Sequence, residues 1–114
     1  MTNSMSIVGP ISVTLNAAIA AAYNAGILVV VAAGNQGTNT CLVSPGSEPT
    51  AFKVAATNQT DGLPLWSNHG ACVNMSAPGT SIVSDYIPNV DSTMQLDGTS
   101  MASPHGSFSF DLAF

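Results

Sequence analysis

The segment Gly98-Thr99-Ser100-Met101-Ala102-Ser103-Pro104-His105 sets a serine among small residues and carries the strongest local chemical signal in the chain. Small neighbours let Ser100 sit in the first turn of a helix, where unpaired backbone N–H groups and the positive dipole end favour a developing oxyanion. There the Ser100 hydroxyl would be a nucleophile; the competing reading is a plain N-cap, for which serine is a common choice. A second segment, Ala32-Ala33-Gly34-Asn35, ends an apolar run with glycine and a carboxamide. An Asn35 side chain fixed at a sheet edge is a suitable oxyanion donor, although loops also use asparagine to hold their own backbone. Neither segment decides the matter alone.

Elements must position these residues. Ser12 or Thr14 can cap a helix running to about Ala25, with Ile11, Leu15, Ala18, Ile19 and Ala22 along one side and Gly26 at a left-handed C-terminal cap. Residues 27–33 are apolar on both faces, the pattern of a central parallel strand covered by helices on two sides. The predicted fold class is therefore α/β, with a doubly wound parallel sheet. The polar stretch 34–40 falls just past the carboxyl end of that strand, where open α/β sheets place their ligands. Short strands are predicted at 52–57, 72–77 and 81–83, and 93–96 as one arm of a hairpin ending at Asp97-Gly98. Turns are expected at 44–49, 60–64, Pro78-Gly79 and Pro88-Asn89. Only one long helix stands out, so the sheet is expected to be partial and the three-layer domain incomplete.

One lysine stands against six acidic residues, a formal net charge of −5. A single basic side chain cannot neutralise a row of phosphates, which excludes nucleic acid and polybasic membrane attachment as partners. Charged residues make up 6% of the chain against roughly 25% in ordinary soluble domains, and 46% are apolar, so the chain requires a core. Residues 17–34 are apolar enough to raise a membrane span. Asn24 and Gly26 break that run, and the switch from alanines to Ile27-Leu28-Val29-Val30-Val31 reads instead as helix, turn and buried strand. No membrane partner is expected. The first residues lack the basic start and apolar run of a signal peptide. Asn58 and Asn74 fit the glycosylation pattern, with Asn58 the more accessible in its turn.

Taken in order with Ser44-Pro45-Gly46-Ser47-Glu48-Pro49, Trp66-Ser67-Asn68-His69-Gly70 and Ala77-Pro78-Gly79-Thr80-Ser81-Ile82, the two chemical segments resemble the subtilases, the subtilisin-like serine proteases, and among them the proteinase K-type branch. The resemblance covers about residues 3–105. It makes 1–105 the C-terminal part of a subtilisin-like peptidase domain and 106–114 a divergent or truncated tail. It implies a serine endopeptidase that hydrolyses peptide bonds through an acyl-enzyme, with Ser100 as nucleophile and Asn35 in the oxyanion hole. Ser6, Ile7, Val8, Ala33 and Gly34 would contact the polypeptide substrate. Ser6-Ile7-Val8-Gly9 stands where the family usually has Ser-Leu-Gly-Gly, so Val8 brings a β-branched side chain to a strand edge where glycine permits close approach. The resemblance also implies a disulfide between Cys41 and Cys72, and with it an oxidising compartment and secretion; the residues alone allow two buried free thiols.

A serine hydroxyl needs a histidine base, itself oriented by an aspartate. The family places both before the asparagine and the serine in the chain. His105 falls at the family's non-catalytic position and His69 at a loop position where an aromatic residue is usual, so neither is expected to be the base. The chain is expected to be inactive alone, its partner the missing N-terminal part of the catalytic domain. The alternative is a non-catalytic secreted protein, derived from a protease, that binds peptides or partner chains along exposed strand edges. After His105 the family continues with an apolar helix through the core; Gly106 and the polar residues beyond it predict that this helix is cut short or replaced. Proteinase K-like members often hold calcium with an aspartate at the position of Asn74, near the carbonyls of Pro49 and Ala51. A neutral amide weakens a hard-cation site, so neither metal nor cofactor is assigned.

Overall fold

Val29, Val30, Val31 and Ala32 bury both faces of a strand only if a layer lies on each side of it. The computed structural model, which describes residues 1–87 and 91–113, supplies both layers. Strands β1 (Thr2–Met5), β2 (Leu28–Ala32), β3 (Phe52–Thr57) and β4 (Met75–Pro78) form one parallel sheet in that spatial order. Helix α1 (Val13–Asn24) packs Ile19, Leu15 and Ala22 against Val29, Val31 and Ala51 on one face. Helix α2 (Thr99–Ala113) packs Ala102 and Phe110 against Val30, Val54, Ala56 and Ala77 on the other. The fold is a three-layer α/β arrangement. Among the described residues, no helix is long and apolar enough to cross a membrane.

Both ends of α1 follow local sequence. Ser12 Oγ accepts from Leu15 N at 3.2 Å as the N-cap. At the other end Gly26 takes φ +86°, its N–H bonds to Tyr23 O at 2.9 Å, and Ile27 N bonds to Ala22 O at 3.0 Å, the paired bonds of a Schellman cap. Ile11, expected on the apolar side of this helix, precedes it and is exposed.

The expected interruption after His105 does not occur: α2 runs unbroken to Ala113. Three local features explain the difference. Gly106 is buried against the sheet, and a Cβ there would stand 2.8 Å from Val54 Cγ2 and 3.2 Å from Val30 Cγ1, so glycine is what lets the helix lie this close. Ser107 and Ser109 turn their hydroxyls onto the carbonyls of Pro104 and His105 at 3.1 and 2.8 Å. Phe110 meets Phe52 edge to face, ring centroids 4.7 Å apart. Pro104 removes one helical donor, and Ser6 Oγ lies 3.5 Å from the Ser100 carbonyl released by it.

The remaining strands differ from expectation in detail. The strand predicted at 72–77 starts only at Met75, because the residues before it form a turn closed by Val73 N to Gly70 O at 3.1 Å. Strands β5 (Ile82–Asp85) and β6 (Thr93–Leu96) pair antiparallel as a separate ribbon. Residues 93–96 are thus one arm of a hairpin that ends at Asp97-Gly98, as expected; these two residues lead into α2, and the Asp97 carboxylate accepts from Ser81 N at 2.7 Å. The turn expected at Pro88-Asn89 lies outside the described residues. Strand β1 had no signal of its own in the sequence and is exposed in its middle.

Candidate active site

Ser100 occupies the second position of α2, at the end of the helix that faces the loop leaving β2. Thr99 makes the connection. Its backbone N–H and its hydroxyl both donate to Asn35 Oδ1, at 2.9 and 2.7 Å, and the same hydroxyl accepts from Gly34 N at 3.1 Å. A backbone N–H can only donate, so the carboxamide atom facing it is the oxygen and Asn35 Nδ2 points to the other side. Among the described residues Nδ2 has no hydrogen-bond partner, and neither has the Ser100 backbone N–H, while Met101 N is taken up by Gly98 O at 3.1 Å. The two unspent donors flank one space. A Cβ placed on Gly98 would lie 3.6 Å from Asn35 Nδ2 and 3.7 Å from Ser100 N, with only Met101 Sδ nearer, at 3.4 Å. Two N–H groups converging beside a serine at a helix N-terminus are suited to hold negative charge on a carbonyl oxygen under attack.

Asn68 holds the loop that carries Asn35. Its side chain is fully buried. Oδ1 accepts from the backbone N–H of Gln36 and Thr38, each at 3.0 Å, and Nδ2 donates to Ala33 O at 2.9 Å and to Gln36 Oε1 at 3.0 Å. Gly34 passes directly over this amide with φ +110°; a Cβ there would collide with Asn68 Nδ2 and stand 2.7 Å from Gln36 Oε1. Further along, Thr40 N bonds to His69 O and His69 N to Thr38 O, at 2.8 and 3.0 Å. The Cys41–Cys72 disulfide closes this end, across a sequence separation of 31 and a Cα–Cα distance of 5.4 Å. A closed loop of that length is worth about 3–4 kcal/mol in the chain-entropy account. Reduction should therefore add two hydrogen atoms to the intact mass and lower the unfolding free energy by about that amount, measured by urea titration with and without reductant; an unchanged midpoint would count against it.

Thr99 and Asn68 were not marked by sequence reasoning. Each lies inside a quoted segment, but what singles it out is burial of its polar groups, and no spacing in the chain signals that.

Ser6, Ile7 and Val8 follow β1 and stand beside the N-terminus of α2; Ile7 is exposed and Val8 half-buried. Among the described residues their backbone groups make no hydrogen bond, which leaves them open to an extended peptide. Ala33 and Gly34 differ. Ala33 N bonds to Val54 O and its carbonyl to Asn68 Nδ2, while Gly34 N is held by Thr99 Oγ1 and its carbonyl by Asn68 N. These two residues shape the space without a spare donor. His105 Nδ1 faces the Met101 carbonyl at 2.9 Å and must donate to it. In a helix, five residues rotate the direction by about 140°, so His105 and Ser100 leave α2 on different sides. His69 is exposed in the segment paired with residues 38–40, and neither ring is bonded to Ser100.

The residues next to the expected calcium position offer a poor donor set for that ion. Asn74 contributes no charge, and its Oδ1 already accepts from Lys53 N at 2.8 Å. Lys53 Nζ donates to Glu48 O at 3.1 Å, and the Glu48 carboxylate takes Thr50 Oγ1 at 2.7 Å and Thr50 N at 3.1 Å. Calcium wants six to eight oxygens, several of them anionic.

With this geometry in view, the relatives are informative. The Subtilase family, peptidase S8, matches residues 3–110, and the chain belongs to that family. It is 43% identical over 102 residues to the extracellular serine proteinase of Thermus sp. strain Rt41A, covering 90% of this chain and 25% of that one. Proteinase T of Parengyodontium album is 46% identical, with 90% of this chain and 34% of that one covered. The crystal structure of a cold-adapted subtilisin-like serine proteinase superimposes with a TM-score of 0.85 at 35% identity, over 91% of this chain and 37% of the other. The chain thus spans about a quarter to a third of the length of such relatives.

Proposed function

We propose that this chain is the nucleophile-bearing part of a secreted serine endopeptidase, in which Ser100 attacks a peptide carbonyl and Asn35 Nδ2, with the Ser100 backbone N–H, holds the resulting oxyanion. The observation that carries this reading is the double hydrogen bond from Thr99 to Asn35 Oδ1, which turns the opposite edge of the amide into a fixed donor. The acyl-enzyme forms when Ser100 Oγ adds to the carbonyl carbon, its proton passes to a base, and the peptide nitrogen departs with a proton. The two histidines of this chain lack the placement for that base, so the histidine and the aspartate that orients it would come from polypeptide outside these 114 residues. Residues 6–8 would pair with the substrate backbone, and polypeptide is the substrate class. Extracellular location is supported by the disulfide and by the name of the Thermus relative.

Without the base, Ser100 has the nucleophilicity of an ordinary hydroxyl. The purified chain is expected to show no Ser100-dependent labelling by a fluorophosphonate probe, scored against Ser100→Ala. Labelling lost on that substitution would show that the chain activates its own serine. The unpaired backbone of residues 6–8 also favours a second reading, a non-catalytic peptide binder. Saturable binding of an extended peptide, unaffected by Ser100→Ala and absent in a chain with Pro in place of Ile7, would support it.

A further inference from the structure

Asn58-Gln59-Thr60 and Asn74-Met75-Ser76 both fit the N-glycosylation pattern, and neither has a part in the chemistry of Ser100. A glycan attaches to the side-chain nitrogen of the asparagine, so that atom must be free, with the hydroxyl two residues on within reach of the same amide. The turn after β3 meets both demands. Asn58 Oδ1 accepts from Thr60 N at 3.0 Å, from Thr60 Oγ1 at 2.8 Å and from Gly62 N at 2.8 Å. Two of those donors are backbone N–H groups, which turns the amide oxygen inward and leaves Nδ2 with no hydrogen-bond partner among the described residues. Asn68, which holds a loop, spends both ends of its amide. Gln59, Thr60 and Asp61 are exposed. Gly62 keeps the Asn58 nitrogen clear, since a Cβ there would stand 3.0 Å from Nδ2, although its own φ is not positive and the backbone does not require glycine. Every bond of the turn is local, including Asn58 N to Gly62 O at 2.9 Å and Asp61 N to Asn58 O at 3.1 Å, so it needs nothing from the sheet. The second motif is arranged otherwise. Asn74 Oδ1 accepts from Lys53 N at 2.8 Å, while Ser76 is paired with Ala55 inside β4 and its hydroxyl makes no bond to the Asn74 amide.

We propose that Asn58 is an N-glycosylation acceptor presented by the turn 58–62, and that Asn74 is not one. The donor is an oligosaccharide linked to a polyprenyl diphosphate, brought by a membrane-bound transferase. Asn58 Nδ2 bonds to the anomeric carbon of the sugar as the bond from that carbon to the diphosphate oxygen breaks; the diphosphate leaves with the electron pair, and one amide proton passes to a carboxylate of the transferase. The inference is independent of the catalytic reading and shares with it only the secretory route, which the Cys41–Cys72 disulfide supports.

Cell-free translation of the full chain with endoplasmic-reticulum microsomes, behind an added secretory signal peptide, tests this. The added peptide supplies the compartment, so the result does not depend on the catalytic role, and glycans are scored only on chain protected from added protease. The natural chain is expected to gain a single glycan sensitive to endoglycosidase H. That glycan should be lost in Thr60→Ala, kept in Ser76→Ala and sharply reduced in Gly62→Val, whose Asn-Gln-Thr motif is intact. Peptide mapping after digestion should find the residual sugar on Asn58. No glycan on the natural chain, or a glycan mapped to Asn74, would overturn the proposal. Undiminished glycosylation of Gly62→Val would show that the motif is used without the geometry of the turn and would equally defeat it.

Discussion

Asn68→Ala is expected to lower the unfolding free energy by about 3–5 kcal/mol. The amide makes four hydrogen bonds from a fully buried position, and its loss strands the N–H groups of Gln36 and Thr38 and the carbonyl of Ala33. Each such group left without a partner costs about 1–3 kcal/mol, reduced where the loop can relax into water. Asn68→Asp keeps the two accepted bonds but sets a carboxylate against Ala33 O and Gln36 Oε1, so it should be destabilising as well. Urea titration gives the free energies, and hydrogen exchange at the Gln36 and Thr38 amides gives the location. A loss below about 1 kcal/mol with unchanged exchange would mean that the loop is held by the disulfide and the backbone pairing rather than by this side chain.

The second large effect concerns rate. In a polypeptide that joins this chain to an aspartate- and histidine-bearing segment, Asn35→Ala is expected to reduce kcat by about 10²–10³, a magnitude borrowed from subtilisin itself, the worked case for this donor. Thr99→Val removes the hydroxyl that steers the amide but leaves the backbone N–H of Thr99 on Oδ1, so a smaller loss of roughly 10-fold is expected. Because Thr99 acts through Asn35, the double variant should be little slower than Asn35→Ala alone. Fully additive losses would show that Thr99 has a separate role. Asn35 also accepts from the first N–H of α2, a capping bond worth about 1 kcal/mol, so rates must be expressed per folded molecule.

Much of the frame was legible from local chemistry. Ser12 and Gly26 bound a helix because a side-chain acceptor and a residue tolerant of positive φ are what helix ends require. An unbroken run of β-branched residues marked β2 as a two-sided core strand, and β3 falls on 52–57 as predicted. The errors came where tertiary packing outweighs local preference. Gly106 reads as a helix breaker in isolation, yet against Val54 and Val30 it is the residue that lets α2 reach the sheet.

Residue types and their order determined that the chain has a serine segment, an amide segment, one parallel core strand and almost no charge, because these follow from side-chain chemistry and periodicity within a few residues. Only the tertiary structure decided that Thr99 turns the Asn35 amide, that Asn68 pins the loop beneath it and that Lys53 reaches the Glu48 carbonyl. Those arrangements depend on which buried polar groups find each other across separations of 5 to 64 residues. Satisfaction of a buried donor is a property of the folded interior and leaves no periodic trace along the chain.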